Sequence, residues 1–323
     1  MRLGQLFYSG LFNFSLLFLA AIFAVMQYLD DFGLVDPQDW VNPDKAEAAT
    51  GMVTLRFTLF MIAILLLLGL LAGVARTVAR DYGFRLTRSE AGLRRRRGLF
   101  TLSEVVIPIR RTQVAVIDSG PVARALGWYR LSFQTLGADQ KEGGVQVAAP
   151  FARMEEILPI LAEAGFPAAP PRSNFERPPR RALLRWVIPY LLPALVAAAA
   201  ALIWDMRAGI AAGALLVVAV LAVLRWRKHL YALGERALFV SGGLFNRRLS
   251  IIPFERTQTI SLYRSPLQRR LRLATLLVDT AGASLLRSPE IVDLEGAQAD
   301  ALADGLLRRF LEARERLRAG AER

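Results

Sequence analysis

Four long, nearly uncharged apolar runs constrain this chain of 323 residues more than any other feature. The first, Leu11 to Leu29, is interrupted only by Asn13, Ser15 and Gln27. At about 1.5 Å per helical residue it reaches roughly the ~30 Å of a bilayer core. The second, Met52 to Ala75, carries one charge, Arg56, close enough to its end to snorkel. The third runs from Trp186 to Trp204 and the fourth from Ala208 to Leu224, separated only by Asp205, Met206 and Arg207. Three residues can do no more than turn the chain back, so the runs predict two transmembrane helical hairpins. Trp186, Trp204 and Trp226 stand at run ends, where interfacial aromatics belong. The first run exceeds the ~7–15-residue core of a secretion signal, and no small-x-small site follows it, so it reads as a retained span.

Charge assigns the sides. Arg76, Arg80, Arg180, Arg181, Arg185, Arg225, Arg227 and Lys228 flank the polar segments, whereas the loop from Asp30 to Thr50 sets six acids against Lys45 alone. The positive-inside rule therefore puts the N-terminus and both polar segments in the cytoplasm, on a multi-pass protein of the bacterial inner membrane. Total charge says less, because 38 of the 41 basic residues are arginine and the net +13 follows that skew. Membrane anchoring and the lack of a reader motif argue against nucleic acid despite the basic pI. With no cysteine and one histidine, disulfides, iron–sulfur clusters and thiolate zinc sites are excluded. The chain is expected to hold no metal or cofactor and to be no enzyme.

The two polar segments repeat each other. An offset of 145 residues lays 98–138 on 243–283 without a gap, with about a third of the positions identical. The shared blocks are Gly98-Leu-Phe with Gly243-Leu-Phe, Pro108 with Pro253, Arg111-Thr112-Gln113 with Arg256-Thr257-Gln258, and Pro121 with Pro266. Leu131, Phe133 and Thr135 alternate with polar residues, as do Leu276 and Val278, so each copy predicts a half-buried strand. The run Val114 to Ile117 is ambiguous by itself; alignment with Ile260 and Leu262 places Ala115 and Ile117 inside. Met154, Ile157, Leu158 and Leu161 at helical spacing predict an amphipathic closing helix, as do Leu302, Leu306, Phe310, Ala313 and Leu317 in the second copy.

The ordered set, twice behind a hairpin, resembles the bacterial PH-like domain (bPH2, formerly a domain of unknown function) of membrane proteins of the YdbS/YdbT type. The resemblance implies an α+β membrane protein: two transmembrane hairpins, each followed by a PH-like small β-barrel or sandwich with a C-terminal capping helix. The expected organisation is a first hairpin over 1–80, a module over 81–167, a proline-rich linker over 168–182, a second hairpin over 183–228 and a second module over 229–323. Many relatives are expected to carry a third, leading module; here there are two.

The sharpest candidate site is Arg94-Arg95-Arg96-Arg97, for which period-2 alternation points two side chains to each face. Arginines at an inner leaflet attract anionic headgroups, each contributing on the order of 1 kcal/mol. The second copy lacks that run and offers Arg269, Arg270 and Arg272 instead. The twin Arg-Thr-Gln reads as structural, its polar side chains satisfying backbone groups at a bend that Pro108 or Pro253 makes. The expected role is a membrane-surface scaffold or regulator acting through protein–protein contacts. Its partners are the bilayer and another protein, a second copy or a different PH-like membrane protein. An anionic-lipid sensor using Arg94–Arg97 and a subunit of a transport or export system are the alternatives.

Overall fold

The computed structural model describes residues 48–136, 144–203, 208–280 and 289–321. The predicted first span, the acidic loop, the tip of the second hairpin and Trp204 lie outside them. The described residues form two compact units, one comprising the chain to Thr87 with Arg95–Val105, the other Arg88–Arg94 with everything from Val106.

The 145-residue repeat is visible element by element. The first copy runs β1 (Arg85–Ser89), β2 (Gly92–Arg97), β3 (Ser103–Ile107), a 3-10 turn (Ile109–Arg111), β4 (Thr112–Ser119), α2 (Pro121–Ala125), β5 (Tyr129–Thr135), β6 (Val145–Ala152) and α3 (Met154–Glu163). The second runs β7 (Leu230–Leu233), β8 (Ala237–Gly242), β9 (Arg247–Pro253), a 3-10 turn (Phe254–Arg256), β10 (Thr257–Tyr263), α6 (Pro266–Arg270), β11 (Leu273–Thr280), β12 (Glu290–Glu295) and α7 (Gly296–Ala321). Ahead of each copy stand long apolar helices: α1 (Ala48–Asp81) before the first, α4 (Ala182–Ile203) and α5 (Ala208–Lys228) before the second.

Twelve described strands make three sheets: β1-β2-β3, β10-β11-β12, and a six-stranded sheet ordered β6-β5-β4-β9-β8-β7. The large sheet crosses from one repeat into the other. Its seam is antiparallel pairing of β4 with β9, in the register Ala115↔Ile251, Ile117↔Leu249 and Ser119↔Arg247. Each copy thus consists of two three-stranded meanders, and the second meander of the first copy is hydrogen-bonded to the first meander of the second.

This seam explains the unbroken apolar run of β4. Ala115 and Ile117 are buried, while Val114, with Val116 beside it, packs into a core built from the second copy, including Leu238, Ile252, Phe254, Leu276 and Ile291. Both faces of β4 therefore serve, unlike the half-exposed pattern of an edge strand. The equivalent strand β10 is an edge and carries Thr259 and Ser261 at those positions. Central β5 likewise departs from the half-buried reading, since Ser132 and Gln134 are buried together with Leu131 and Phe133. On α3, Ile157 and Leu161 are buried, but Leu158 is exposed, so the buried stripe is narrower than the sequence spacing suggests. On α7, Leu306 and Ala299 enter the core with Leu302 at its margin.

Helices α4 and α5 are long and apolar enough to cross a membrane. Small residues face inward, with Ala194, Ala212, Ala219 and Ala222 buried, and a Cβ on Gly209 would lie 3.7 Å from Ala201 Cβ. Close approach through small side chains is how helices associate without a hydrophobic driving force. Leu192, Leu195, Val196, Ile210, Val217 and Val220 point outward, as expected for helices solvated by lipid. In α1, Phe60, Leu67, Leu68 and Leu71 are similarly exposed. The last turn of α1 meets the β2–β3 turn, where the Gly98 and Leu99 amides donate to the carbonyls of Tyr82 and Ala79, each at 2.9 Å. These bonds satisfy carbonyls that a helix end leaves without partners.

Candidate functional site

The repeated Arg-Thr-Gln proves to be a piece of backbone engineering. In each copy the proline ends a strand, a 3-10 turn follows and its last residue is the motif arginine. The threonine is buried and its hydroxyl donates back into that turn: Thr112 Oγ1 to the Ile109 carbonyl at 2.6 Å, Thr257 Oγ1 to the Pro253 carbonyl at 3.4 Å. Thr112 then pairs with Thr135, and Thr257 with Thr280. The register shifts between Thr112 and Val114, and again between Thr257 and Thr259, so the glutamine occupies a β-bulge in both copies. Pro121 and Pro266 open α2 and α6 at the first turn, where a missing amide hydrogen costs nothing.

The two motif arginines part company. Arg111 is exposed. Arg256 reaches across the seam into the first copy, donating from Nη1 to Thr112 Oγ1 at 2.9 Å and from Nη2 to the Ala164 carbonyl at 3.1 Å. Its guanidinium lies 4.4 Å from the centre of the Phe166 ring, which in turn stacks on Phe133 at 5.4 Å. Burial lowers the Arg256 pKa, and neighbouring Glu255 works against that shift. One side chain thus ties the second copy's turn to the end of α3 and to the core of the first.

A second cluster joins the start of α4 and the end of α5 to the second copy. Asp293, on β12, is fully buried and holds a left-handed backbone at φ +62, a conformation aspartate tolerates better than most residues. Its carboxylate accepts from Arg185 Nε at 2.8 Å, from Trp186 Nε1 at 2.7 Å and from Gln268 Nε2 at 2.7 Å. Three donors are what a buried carboxylate requires. Alongside, His229 Nε2 accepts from the Val292 amide at 3.2 Å. Burial drives the His229 pKa down to about 4, with Arg225 adding to the shift and Asp293 opposing it. Tyr231 donates to Glu176 at 2.7 Å; burial, then that bond, push its pKa up. Arginines also lie over the tryptophans at the hairpin base, Arg225 over Trp186 at 5.4 Å and Arg177 over Trp226 at 5.6 Å.

The arginine run Arg94–Arg97 splits by strand alternation. Arg94 and Arg96 are exposed, but Arg95 is buried at 2% exposure, and Arg97 pairs with the buried carboxylate of Asp81 at 2.7 Å. The expected division of the run between two faces is seen: Arg94 and Arg96 stand exposed, while β2 turns Arg95 and Arg97 inward. Arg269, Arg270 and Arg272 stand exposed around α6, with Arg269 Nε donating to the Arg264 carbonyl at 3.3 Å and Arg272 at φ +54. Among the described residues no group of three histidine, cysteine or acidic side chains is arranged to hold a metal.

Residues 11–164 and 184–310 match the bacterial PH domain family. The chain belongs to that family. The match divides at the linker between the two repeats, so each PH-like copy enters with its preceding helices. The chain is also 22% identical over 280 residues to the UPF0699 transmembrane protein YdbT of Bacillus subtilis (strain 168), an alignment that covers 85% of this chain. It spans about half, 56%, of the length of that relative. No solved structure matches.

Proposed function

We propose that the protein is a non-enzymatic membrane scaffold or regulator, with its two hairpins holding a fused pair of PH-like modules at the cytoplasmic face of the bacterial inner membrane. The observation that carries this reading is the β4–β9 pairing. It pairs the second meander of the first copy with the first meander of the second, which supports a reading in which both copies lie in the same compartment. The arginine-rich flanks, with Arg225, Arg227 and Lys228 closing α5, favour the cytoplasmic side. Two meanders and a C-terminal helix per copy suit a small barrel or sandwich. The half-buried Arg256 and the buried Asp293 and His229 are each engaged in holding elements together, which favours architecture over chemistry.

The platform offers two surfaces to a protein partner, a second copy or another PH-like membrane protein among them. Leu307 and Leu311, one helical turn apart on α7, are exposed, and β6 ends the six-stranded sheet with an outer edge suited to strand addition. The test is a photo-crosslinking residue placed at Leu307, Leu311, Val145 or Val147 of the full chain in its membrane. The reading expects an adduct of discrete mass from at least one surface, and an adduct of twice the chain's own mass identifies self-association. Absence of any adduct from all four positions overturns the scaffold.

A further inference from the structure

Beside the foot of α5, where β8 turns into β9, lies an open cleft of about 200 Å³. Its cationic lining is Arg172, Lys228 and Arg247, and its apolar wall includes Phe175, Leu230 and Leu249. A fourth cation stands close by: Arg124 Nη1 donates to the Ser119 carbonyl at 3.4 Å, and Ser119 is the register partner of Arg247 across the seam. Arg124 of the first repeat thus stands beside a cleft whose Arg247 belongs to the second.

Arg97, Arg181, Arg185 and Arg264 each have a carboxylate partner, but among the described residues Arg124, Arg172, Lys228 and Arg247 form no ion pair. The nearest carboxylate along the linker, Glu176, is taken by the Tyr231 hydroxyl. Burial lowers the Arg247 pKa, Arg124 and Arg172 add to the shift, and Tyr129 opposes it. Like charges gathered around a concavity repel one another, and a bound anion relieves that repulsion while accepting charge-assisted hydrogen bonds.

Position and lining say which anion. Lys228 is the last residue of a membrane-spanning helix, and Phe245, on the adjoining β8–β9 turn, is 65% exposed, as suits a side chain dipping into the bilayer interface. A small free anion has no use for an apolar wall, whereas the glycerol and first acyl carbons of a phospholipid do. We propose that the Arg124–Arg172–Lys228–Arg247 cleft binds the phosphate of an anionic phospholipid headgroup in the leaflet that faces the PH-like modules.

The test uses the full chain in an uncharged detergent, titrated calorimetrically with short-chain phosphatidylglycerol, short-chain phosphatidylcholine or inorganic phosphate. Phosphatidylglycerol is expected to bind about tenfold more tightly than phosphatidylcholine, with the preference shrinking as salt rises. Arg172→Gln with Arg247→Gln is expected to weaken phosphatidylglycerol binding about fivefold or more, while Arg94→Gln with Arg96→Gln leaves it within about twofold. Equal affinity for the two lipids overturns the proposal on the unmodified protein alone, so the folding of the variants does not decide the matter. An unchanged affinity in the folded Arg172→Gln/Arg247→Gln protein also overturns it. Displacement of phosphatidylglycerol by equimolar inorganic phosphate identifies a free-anion site and overturns the lipid assignment.

Discussion

Arg256 Nη1 donates to Thr112 Oγ1 at 2.9 Å across 144 residues of chain, so the arginine of the second Arg-Thr-Gln motif completes the threonine of the first. Duplication made two copies of one turn, and fusion gave them different work: Thr112 serves as acceptor at the seam, whereas Thr257 bonds only within its own turn.

That difference sets unequal costs for the same substitution. Arg256→Ala removes two charge-assisted hydrogen bonds and a cation–π contact and is expected to destabilise the protein by about 2–4 kcal/mol. Arg111→Ala, at the equivalent exposed position, is expected to cost below about 0.5 kcal/mol. Arg256→Lys falls between them, because a lysine cannot reproduce the planar fork. Thermal melts of the full chain in detergent distinguish the three, and equal losses for Arg256→Ala and Arg111→Ala would refute the seam's role.

Asp293→Asn separates charge from shape. Asparagine accepts the left-handed backbone at φ +62, so the turn survives while the ion pair with Arg185 is lost. The expected loss is roughly 1–3 kcal/mol, with faster amide exchange at the start of α4 and in β12. Unchanged exchange at both places would remove Asp293 as the link between hairpin and module.

His229 makes stability depend on pH. Its folded pKa of about 4 lies below the ordinary imidazole value of 6.5, so between these values the unfolded chain binds the extra proton and stability rises with pH. The contribution is fully present above about pH 6.5 and is lost as pH falls towards 4, up to roughly 3 kcal/mol in total. Protonation also removes the acceptor that Nε2 offers to the Val292 amide. His229→Gln is expected to flatten the melting temperature across that window; an equally steep profile in the variant assigns the effect to other groups.

Two glycines are fixed by space as well as by dihedral. A Cβ on Gly98 would sit 2.0 Å from the Thr101 carbonyl oxygen at φ +123, and one on Gly243 2.0 Å from the Asn246 oxygen at φ +91. Either glycine-to-alanine change is expected to cost more than about 1 kcal/mol. Gly120→Ala is the control, with no atom near its would-be Cβ and an ordinary φ of −67. Its melting temperature is expected to stay at or slightly above that of the unmodified protein.

Because the chain has no cysteine, the seam can be trapped covalently. Asp118 and Arg248 are register partners, and Asp118→Cys with Arg248→Cys is expected to form a disulfide in intact membranes on mild oxidation. Persistence of two free thiols under oxidant would mean that β4 and β9 are not paired there.

Much of the fold was legible because duplication wrote it twice. The 145-residue offset aligns the strands, the 3-10 turns and the proline-started short helices, and the apolar runs mark α1, α4 and α5. The fusion was not legible, because edge pairing is made by backbone groups that every residue carries. Yet it left a trace: Val114 and Val116 in the first copy stand where Thr259 and Ser261 stand in the second, and that exchange of polar for apolar marks β4 as a strand covered on both faces. Alternation could divide Arg94–Arg97 between two faces but could not say that one face is closed. Asp293 gave no signal, since a lone acid near a strand looks like any surface acid until Arg185 and Trp186 arrive from more than 100 residues away. The basic cleft was hidden for the same reason, its cations being drawn from a short helix, a linker, a membrane helix and a strand.

The place of α4 and α5 between β4 and β9 also orders the protein's biosynthesis. From Ser119 to its partner Arg247 the ribosome must add 128 residues (247 − 119), which at about 5–20 residues per second takes roughly 6 to 26 s. During that interval the edge of β4 that β9 will cover stays unpaired, and β9 cannot arrive until α4 and α5 have been made. Delay at α4 and α5 therefore prolongs the exposure of an apolar strand edge, and sequence changes that retard either helix are expected to lower the yield of folded protein without touching a single contact in the finished sheet.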